Sequence, residues 1–203
     1  MTSEDSNKHF SLKLVAYILA VAGLIGFVAS FMLTVETIKV YQNPSYVPVC
    51  SINPILNCRS LMETSQATVL GFANSLMGVA AFAGITVVGF GLLAGATFKK
   101  WFWQGLFAGA ALGLVFIHWL IFESLYSIGS LCPFCMVVWA AMIPIFWYVL
   151  LFNLSEGYLG RTLSKNRVAR FMLRHHVDIV IMWFIVIVAL VLNRFWYYFG
   201  QFV

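Results

Sequence analysis

Five long apolar runs decide what this chain can fold into: Leu14–Val35, Leu76–Phe98, Trp101–Phe122, Leu131–Leu154 and Ile179–Phe199. A helix needs about 20 apolar residues to cross a bilayer, and interior ionisable groups are almost absent from these runs. With 62% hydrophobic and 9% charged residues among 203, a soluble core of ordinary proportions is excluded. The expectation is an all-α integral membrane protein with five transmembrane helices, at about 14–35, 76–98, 101–122, 131–154 and 179–199, in a single domain over 1–203. A cleaved signal peptide is the competing reading of the first run, because Ala20-Val21-Ala22 has the small-residue pattern of a cleavage site. The apolar run continues well past it, and MTSEDSNKHF mixes Glu4 and Asp5 with Lys8 where a signal peptide is basic.

Lys and Arg near span ends are retained on the cytoplasmic side. Five spans put Lys8, Lys13, Lys99, Lys100, Arg161, Lys165, Arg167, Arg170 and Arg174 on the side of the N-terminus, and only Lys39, Arg59 and Arg194 opposite. Nine against three makes the N-terminus cytoplasmic and the connection 36–73 extracytoplasmic. The net charge of +5 is then a topology signal, and no nucleic-acid partner follows from it. The basic stretch Arg161–Arg174 is expected against anionic headgroups of the membrane lipid, and Trp196, Tyr197 and Tyr198 as an interfacial belt.

This topology places all four cysteines on the oxidising side, where disulfides persist. Cys50 and Cys58 lie in the long connection, and Cys132 and Cys135 form a C-x-x-C pair at the head of the fourth span. Three chemistries compete for such a set: two static structural disulfides, a metal site, or a pair of reactive thiol couples. No metal is expected, because thiolate ligands must stay reduced and His9, His175 and His176 fall on the other side.

Local chemistry favours reactivity. Pro133 suits the first turn of a helix, which puts Cys132 at the positive end of the helix dipole, where a thiolate is favoured. Cys135 lies one turn deeper, beside hydrocarbon, where electrons can pass to a lipid-soluble acceptor such as a quinone. Pro44, Pro48 and Pro54 argue against regular structure around Cys50, so that thiol is expected on a mobile loop. From Asn57, a candidate N-cap, the pattern turns helical through Arg59, Leu61, Met62 and Leu70. A mobile couple beside a fixed one suits thiol exchange.

Taken together, Cys50 and Cys58 before the second span, the run Gly71-Phe72-Ala73-Asn74-Ser75-Leu76-Met77-Gly78, and Cys132-Pro133-Phe134-Cys135 at the fourth span resemble the vitamin K epoxide reductase family, most nearly its bacterial branch. The resemblance covers roughly Leu14–Leu154. The DsbB family has similar chemistry but carries its C-x-x-C in the first extracytoplasmic loop. The resemblance implies a four-helix bundle around a quinone, menaquinone or ubiquinone, with a peripheral fifth helix, in the bacterial inner membrane. It implies that Cys50 exchanges with a DsbA-like thioredoxin-fold partner, that Cys58 attacks an active-site disulfide at Cys132, and that Cys135 reduces the quinone. Asn74 matches the family position that hydrogen-bonds the quinone carbonyl; as an amide at a span start it can equally be a helix cap.

Two departures stand beside the match. Trp139 occupies a position where some members carry a Tyr donor to the quinone, and its indole N–H can still donate. Some bacterial members fuse a thioredoxin domain after the fifth span; the sequence stops at Val203, so the partner is expected in trans. Loss of the epoxide reaction is expected as well, because the bacterial branch resembles quinone reductases that drive disulfide formation. Gly105, Gly109 and Gly113 read as a stripe that lets helices approach closely, Glu123 as a hydrated interfacial acid or a proton relay, and His118 as a core hydrogen-bonding residue in preference to a proton donor.

Overall fold

The computed structural model describes the backbone at residues 3–69, 71–160 and 166–196, with side chains from residue 12 onward. Tyr197, Tyr198, Arg161 and Lys165, and the side chain of Lys8, lie outside the described residues. The elements are α1 (Ser3–Gln42), α2 (Cys58–Met62), a 3₁₀ turn (Ser65–Thr68), α3 (Asn74–Leu93), α4 (Lys100–Phe122), a π turn (Glu123–Ile128), α5 (Pro133–Ser155), α6 (Arg167–Arg174) and α7 (His176–Arg194). No strand occurs among the described residues, and five helices are long and apolar enough to cross a membrane.

The helix ends differ from the apolar runs for local reasons. α1 carries on past Val35 through Gln42, and its 40 residues make about 60 Å of helix, well beyond a hydrocarbon core of about 30 Å. Its polar last turns, from Glu36, therefore stand clear of the apolar run. α3 stops five residues short of Phe98: Gly95 takes φ +95°, a left-handed conformation that ends the helix. Leu131 lies outside α5, held in a bridge described below.

α1 packs along α3 and α5, and α4 packs on α5. Glycine sets the tightest of these contacts. A Cβ at Gly89 would run into the backbone of Ala20, and one at Gly26 would come within 2.5 Å of the Phe82 ring, so α1 and α3 meet almost backbone to backbone. α5 is the most enclosed span, with Ile143, Ile145 and Val149 fully buried. α7 buries none of its residues and sits outside, attached through polar pins. Trp183 Nε1 donates to His118 Nε2 at 3.0 Å, Trp147 Nε1 donates to the His176 carbonyl at 2.9 Å, and Arg194 Nε donates to the Leu125 carbonyl at 2.7 Å. Because an indole N–H can only donate, His118 is the neutral Nδ1–H tautomer, donating to the Leu114 carbonyl at 2.8 Å. His118 is thus the core hydrogen-bonding residue expected.

Helix order puts the ends of α1, α4 and α7 and the starts of α3 and α5 together with the cysteines. Lys99, Lys100, Arg167, Arg170 and Arg174 belong to the opposite end.

Candidate active site

The two cysteine pairs come from segments 74 residues apart, and a two-residue bridge aligns them. Leu56 pairs with Leu131 in parallel: Asn57 N–H donates to the Leu131 carbonyl at 2.9 Å, and Leu131 N–H donates to the Ile55 carbonyl at 2.7 Å. Each bonded segment is followed at once by a helix that begins with its cysteine. Asn57 caps α2 as expected, its Oδ1 accepting from Arg59 N–H at 3.1 Å. Cys132 caps α5, its Sγ accepting from Cys135 N–H at 3.5 Å, with Pro133 in the first turn. The result is a separation of 3.1 Å between Cys58 Sγ and Cys132 Sγ.

Cys50 and Cys58 are joined in a disulfide, while Cys132 and Cys135 are free thiols. Cys58 and Cys132 are buried, at 0% and 1% exposure. A hydrogen bond from the Cys135 thiol is the largest influence on Cys132 and lowers its pKa; backbone N–H groups of Cys135 and Phe134 act in the same direction, against burial. These hydrogen bonds favour the thiolate form of Cys132. The Sγ atoms of Cys50, Cys58 and Cys132 all lie within 4.8 Å of one another. Two of the three are covalently joined, so this closeness is a geometry for disulfide exchange.

Cys50 differs from the expectation in one respect. It does lie on an irregular, proline-bounded segment, but its sulfur is covered, with 4% of the residue exposed. The segment is tied down from α1. Glu36, 4% exposed, accepts from Val49 N–H at 3.0 Å and from Tyr46 Oη at 2.9 Å, and pairs with Lys39 Nζ at 2.8 Å. Arg59 of α2 adds a bond from Nη1 to the Tyr46 carbonyl at 2.9 Å.

Below the cysteines lies a cavity of about 880 Å³ bounded by α1, α3, α4 and α5. Cys58, Cys132 and Cys135 line its upper end with Asn74, Gln66 and Glu123, and Trp139, Phe82 and Met142 line the body. The wall is mostly aliphatic and aromatic, so it suits a lipid-soluble ring. Trp139 is 4% exposed and its indole N–H has no partner among the described residues. Asn74 is at the wall, but its amide does not cap α3: Nδ2 donates to the Gln66 carbonyl at 2.6 Å, and Oδ1 accepts from Val69 N–H at 3.2 Å. It clamps the 3₁₀ turn over the cavity with one N–H left to donate inward.

One further expectation is corrected in part. Gly105 and Gly109 do not bring helices together: a Cβ at either would meet nothing within 4 Å and both line the cavity, so they make space, whereas a Cβ at Gly113 would come within 2.9 Å of Met142 of α5, the close approach expected. Glu123 is half-buried on the cavity wall and accepts from Gln66 Nε2 at 3.3 Å. Glu36, Tyr46 and Gln66 escaped sequence reasoning; the one available signal was a carboxylate just past the end of the first apolar run.

The model of the vitamin K epoxide reductase family matches residues 17–150. The chain belongs to the vitamin K epoxide reductase family. The match spans α1 to α5 and takes in all four cysteines and Asn74, leaving α6 and α7 beyond it. A comparison with curated proteins gives no matching sequence. Membership makes this a multi-pass membrane thiol oxidoreductase, of a family linked in general to quinones and to thioredoxin-fold partners.

Proposed function

We propose that this vitamin K epoxide reductase homologue is a quinone-dependent thiol oxidase. It reoxidises an extracytoplasmic, DsbA-like thioredoxin-fold protein and passes the electrons to a membrane quinone, menaquinone or ubiquinone, supporting disulfide formation. The observation that carries this reading is the 3.1 Å approach of Cys58 Sγ to Cys132 Sγ at the head of the apolar cavity. Two static disulfides would have no need to meet.

The exchange balances at each step. A partner thiolate attacks Cys50 Sγ, the Cys50–Cys58 bond breaks, and the partner's second thiol resolves the mixed disulfide. Cys58, now a thiolate, attacks Cys132 Sγ of an oxidised Cys132–Cys135 pair and displaces Cys135. Cys50 then attacks Cys58, restoring the outer disulfide and leaving Cys132 and Cys135 as thiols. The structure has this last distribution. A bound quinone supplies a two-electron, two-proton acceptor. Cys135, Asn74 and Trp139 line the cavity; Cys135 would give up the electrons, the Asn74 and Trp139 N–H groups would hold the quinone by its carbonyl oxygens, and the apolar lining would exclude water. The hydrogen bonds that lower the Cys132 pKa favour its departure as a thiolate when Cys50 attacks Cys58.

The test mixes purified protein with a reduced DsbA-like partner and a soluble quinone analogue, following quinone absorbance and partner thiols together. One quinol per partner disulfide formed is expected. Loss of partner thiols with no quinone reduction, or no loss of either, overturns the proposal.

A further inference from the structure

Two demands on the outer disulfide conflict. Cys50 has to be reached by a thiol on another protein, yet it is 4% exposed, and Cys58 is held against Cys132 in an arrangement that serves only the internal step. Around Cys50 the segment has few backbone bonds of its own, Tyr46 N–H to the Asn43 carbonyl and Ser51 N–H to the Pro48 carbonyl, with Ile52 N–H to the Leu56 carbonyl beyond it. Its side-chain hold on α1 centres on one carboxylate, with Lys39 beside it, Nζ 3.5 Å from Tyr46 Oη. Glu36 Oε2 takes the Val49 N–H, the donor next to Cys50, and both oxygens accept from Tyr46 Oη, at 3.2 and 2.9 Å. Arg59, from the helix that starts at Cys58, binds the same Tyr46 through its carbonyl. Both halves of the outer disulfide are therefore tied through Tyr46 to one turn of α1, Glu36 with its partner Lys39.

We propose that Glu36 is the positioning residue that seats the Cys50–Cys58 disulfide against Cys132, and that release of the Tyr46–Val49 segment from Glu36 is what opens Cys50 to a protein thiol. The proposal rests on the thiol-relay reading above. Glu36 touches neither substrate nor sulfur; it acts by choosing which neighbour the outer disulfide faces. With the carboxylate holding Val49 and Tyr46, exchange with Cys132 is favoured. Without it, exchange with the outside is favoured.

Opposite effects on the two steps are the signature. In full-length Glu36→Gln, which keeps the side-chain shape but loses the charge, a water-soluble phosphine should reduce the Cys50–Cys58 disulfide about tenfold faster, as expected for weakening hydrogen bonds to a charged group. Thiols are read by maleimide quenching and mass mapping of the Cys50 peptide. Single-turnover transfer from the outer to the inner pair should slow by about the same factor. Tyr46→Phe, which removes one donor, should move both rates in these directions by less. The proposal is overturned if both rates stay at wild-type values, if both fall together, or if the opposite shifts come with a loss of the folded state in thermal unfolding of the same sample, since unfolding also exposes the buried disulfide; should Glu36→Gln fail to fold, the signs in Tyr46→Phe decide alone. Phosphine reduction needs no quinone, so a wild-type protein that reduces no quinone would sink the proposed function and still leave the seating of Cys50 measurable.

Discussion

Asn74→Ala separates an amide that works on the quinone from one that only ties a loop. The substitution removes two hydrogen bonds, the part-buried one from Nδ2 to the Gln66 carbonyl at 2.6 Å and the exposed one from Val69 N–H to Oδ1 at 3.2 Å. At about 1 kcal/mol net for each, the 3₁₀ turn loses about 2 kcal/mol of its hold on α3. By the relation of 1.4 kcal/mol to each factor of ten, local opening of that wall becomes about 30-fold more frequent. If the free N–H also donates to a quinone carbonyl as charge builds there, losing it costs about 3 kcal/mol more in the reduction step. Single-turnover quinone reduction from a pre-reduced Cys132–Cys135 pair, followed by absorbance, should then fall by about 100-fold or more. Exchange between the partner and Cys50 should be almost unchanged, since Asn74 contacts neither cysteine segment. Thermal unfolding measured on the same sample gives the structural share. A lower melting temperature with normal single-turnover reduction would refute the catalytic half of the reasoning, and unchanged values in both assays would refute the loop clamp as well.

Other outcomes follow from the same geometry. Cys50→Ala should abolish oxidation of a protein partner but leave quinone reduction by a small dithiol that reaches Cys132 largely intact, whereas Cys135→Ala should abolish both; equal losses in Cys50→Ala would count against a relay. Cys135→Ala should also raise the Cys132 pKa, because the Cys135 thiol is the largest influence lowering it, so the pH midpoint of Cys132 alkylation should move upward; a fixed midpoint would show that the dipole and backbone N–H groups suffice. The sign for stability follows: with a folded pKa below the unfolded one, Cys132 ionisation stabilises the reduced protein above its unfolded pKa, and that contribution is lost as pH falls through the folded pKa. Trp183→Phe removes the indole bond to His118 and should lower stability by about 1 kcal/mol with turnover unchanged; a large loss of turnover would make α7 part of the site.

The sequence carried the spans because membrane length and hydropathy leave few alternatives, and it carried the helix starts at Cys58 and Cys132 because Asn57 and Pro133 are local signals. Where the reading stopped short, the deciding contact was distant or steric. Glu36 reaches Val49 across 13 residues, and nothing near Glu36 in the sequence marks that partner. Pro44, Pro48 and Pro54 correctly indicated irregular backbone around Cys50, but irregular backbone can still be buried once a carboxylate and an arginine bind it. A glycine suits a tight helix contact and an open wall equally well, so the sequence could not tell Gly113, which lies close to Met142, from Gly105 and Gly109, which border the cavity. Asn74 was legible as an important amide, but its direction was not: it bonds back to Gln66 and Val69 and leaves the first turn of α3 uncapped.

The account stands on one contact, that of Cys58 with Cys132, and the double variant Cys50→Ala, Cys135→Ala isolates it, leaving these two as the remaining cysteines of the four. Mild oxidation of the purified protein, followed by proteolysis and mass mapping, should give an intramolecular Cys58–Cys132 disulfide in nearly every molecule, since the sulfurs already lie 3.1 Å apart. Both thiols remaining open to alkylation, or pairing only between molecules, would contradict the relay.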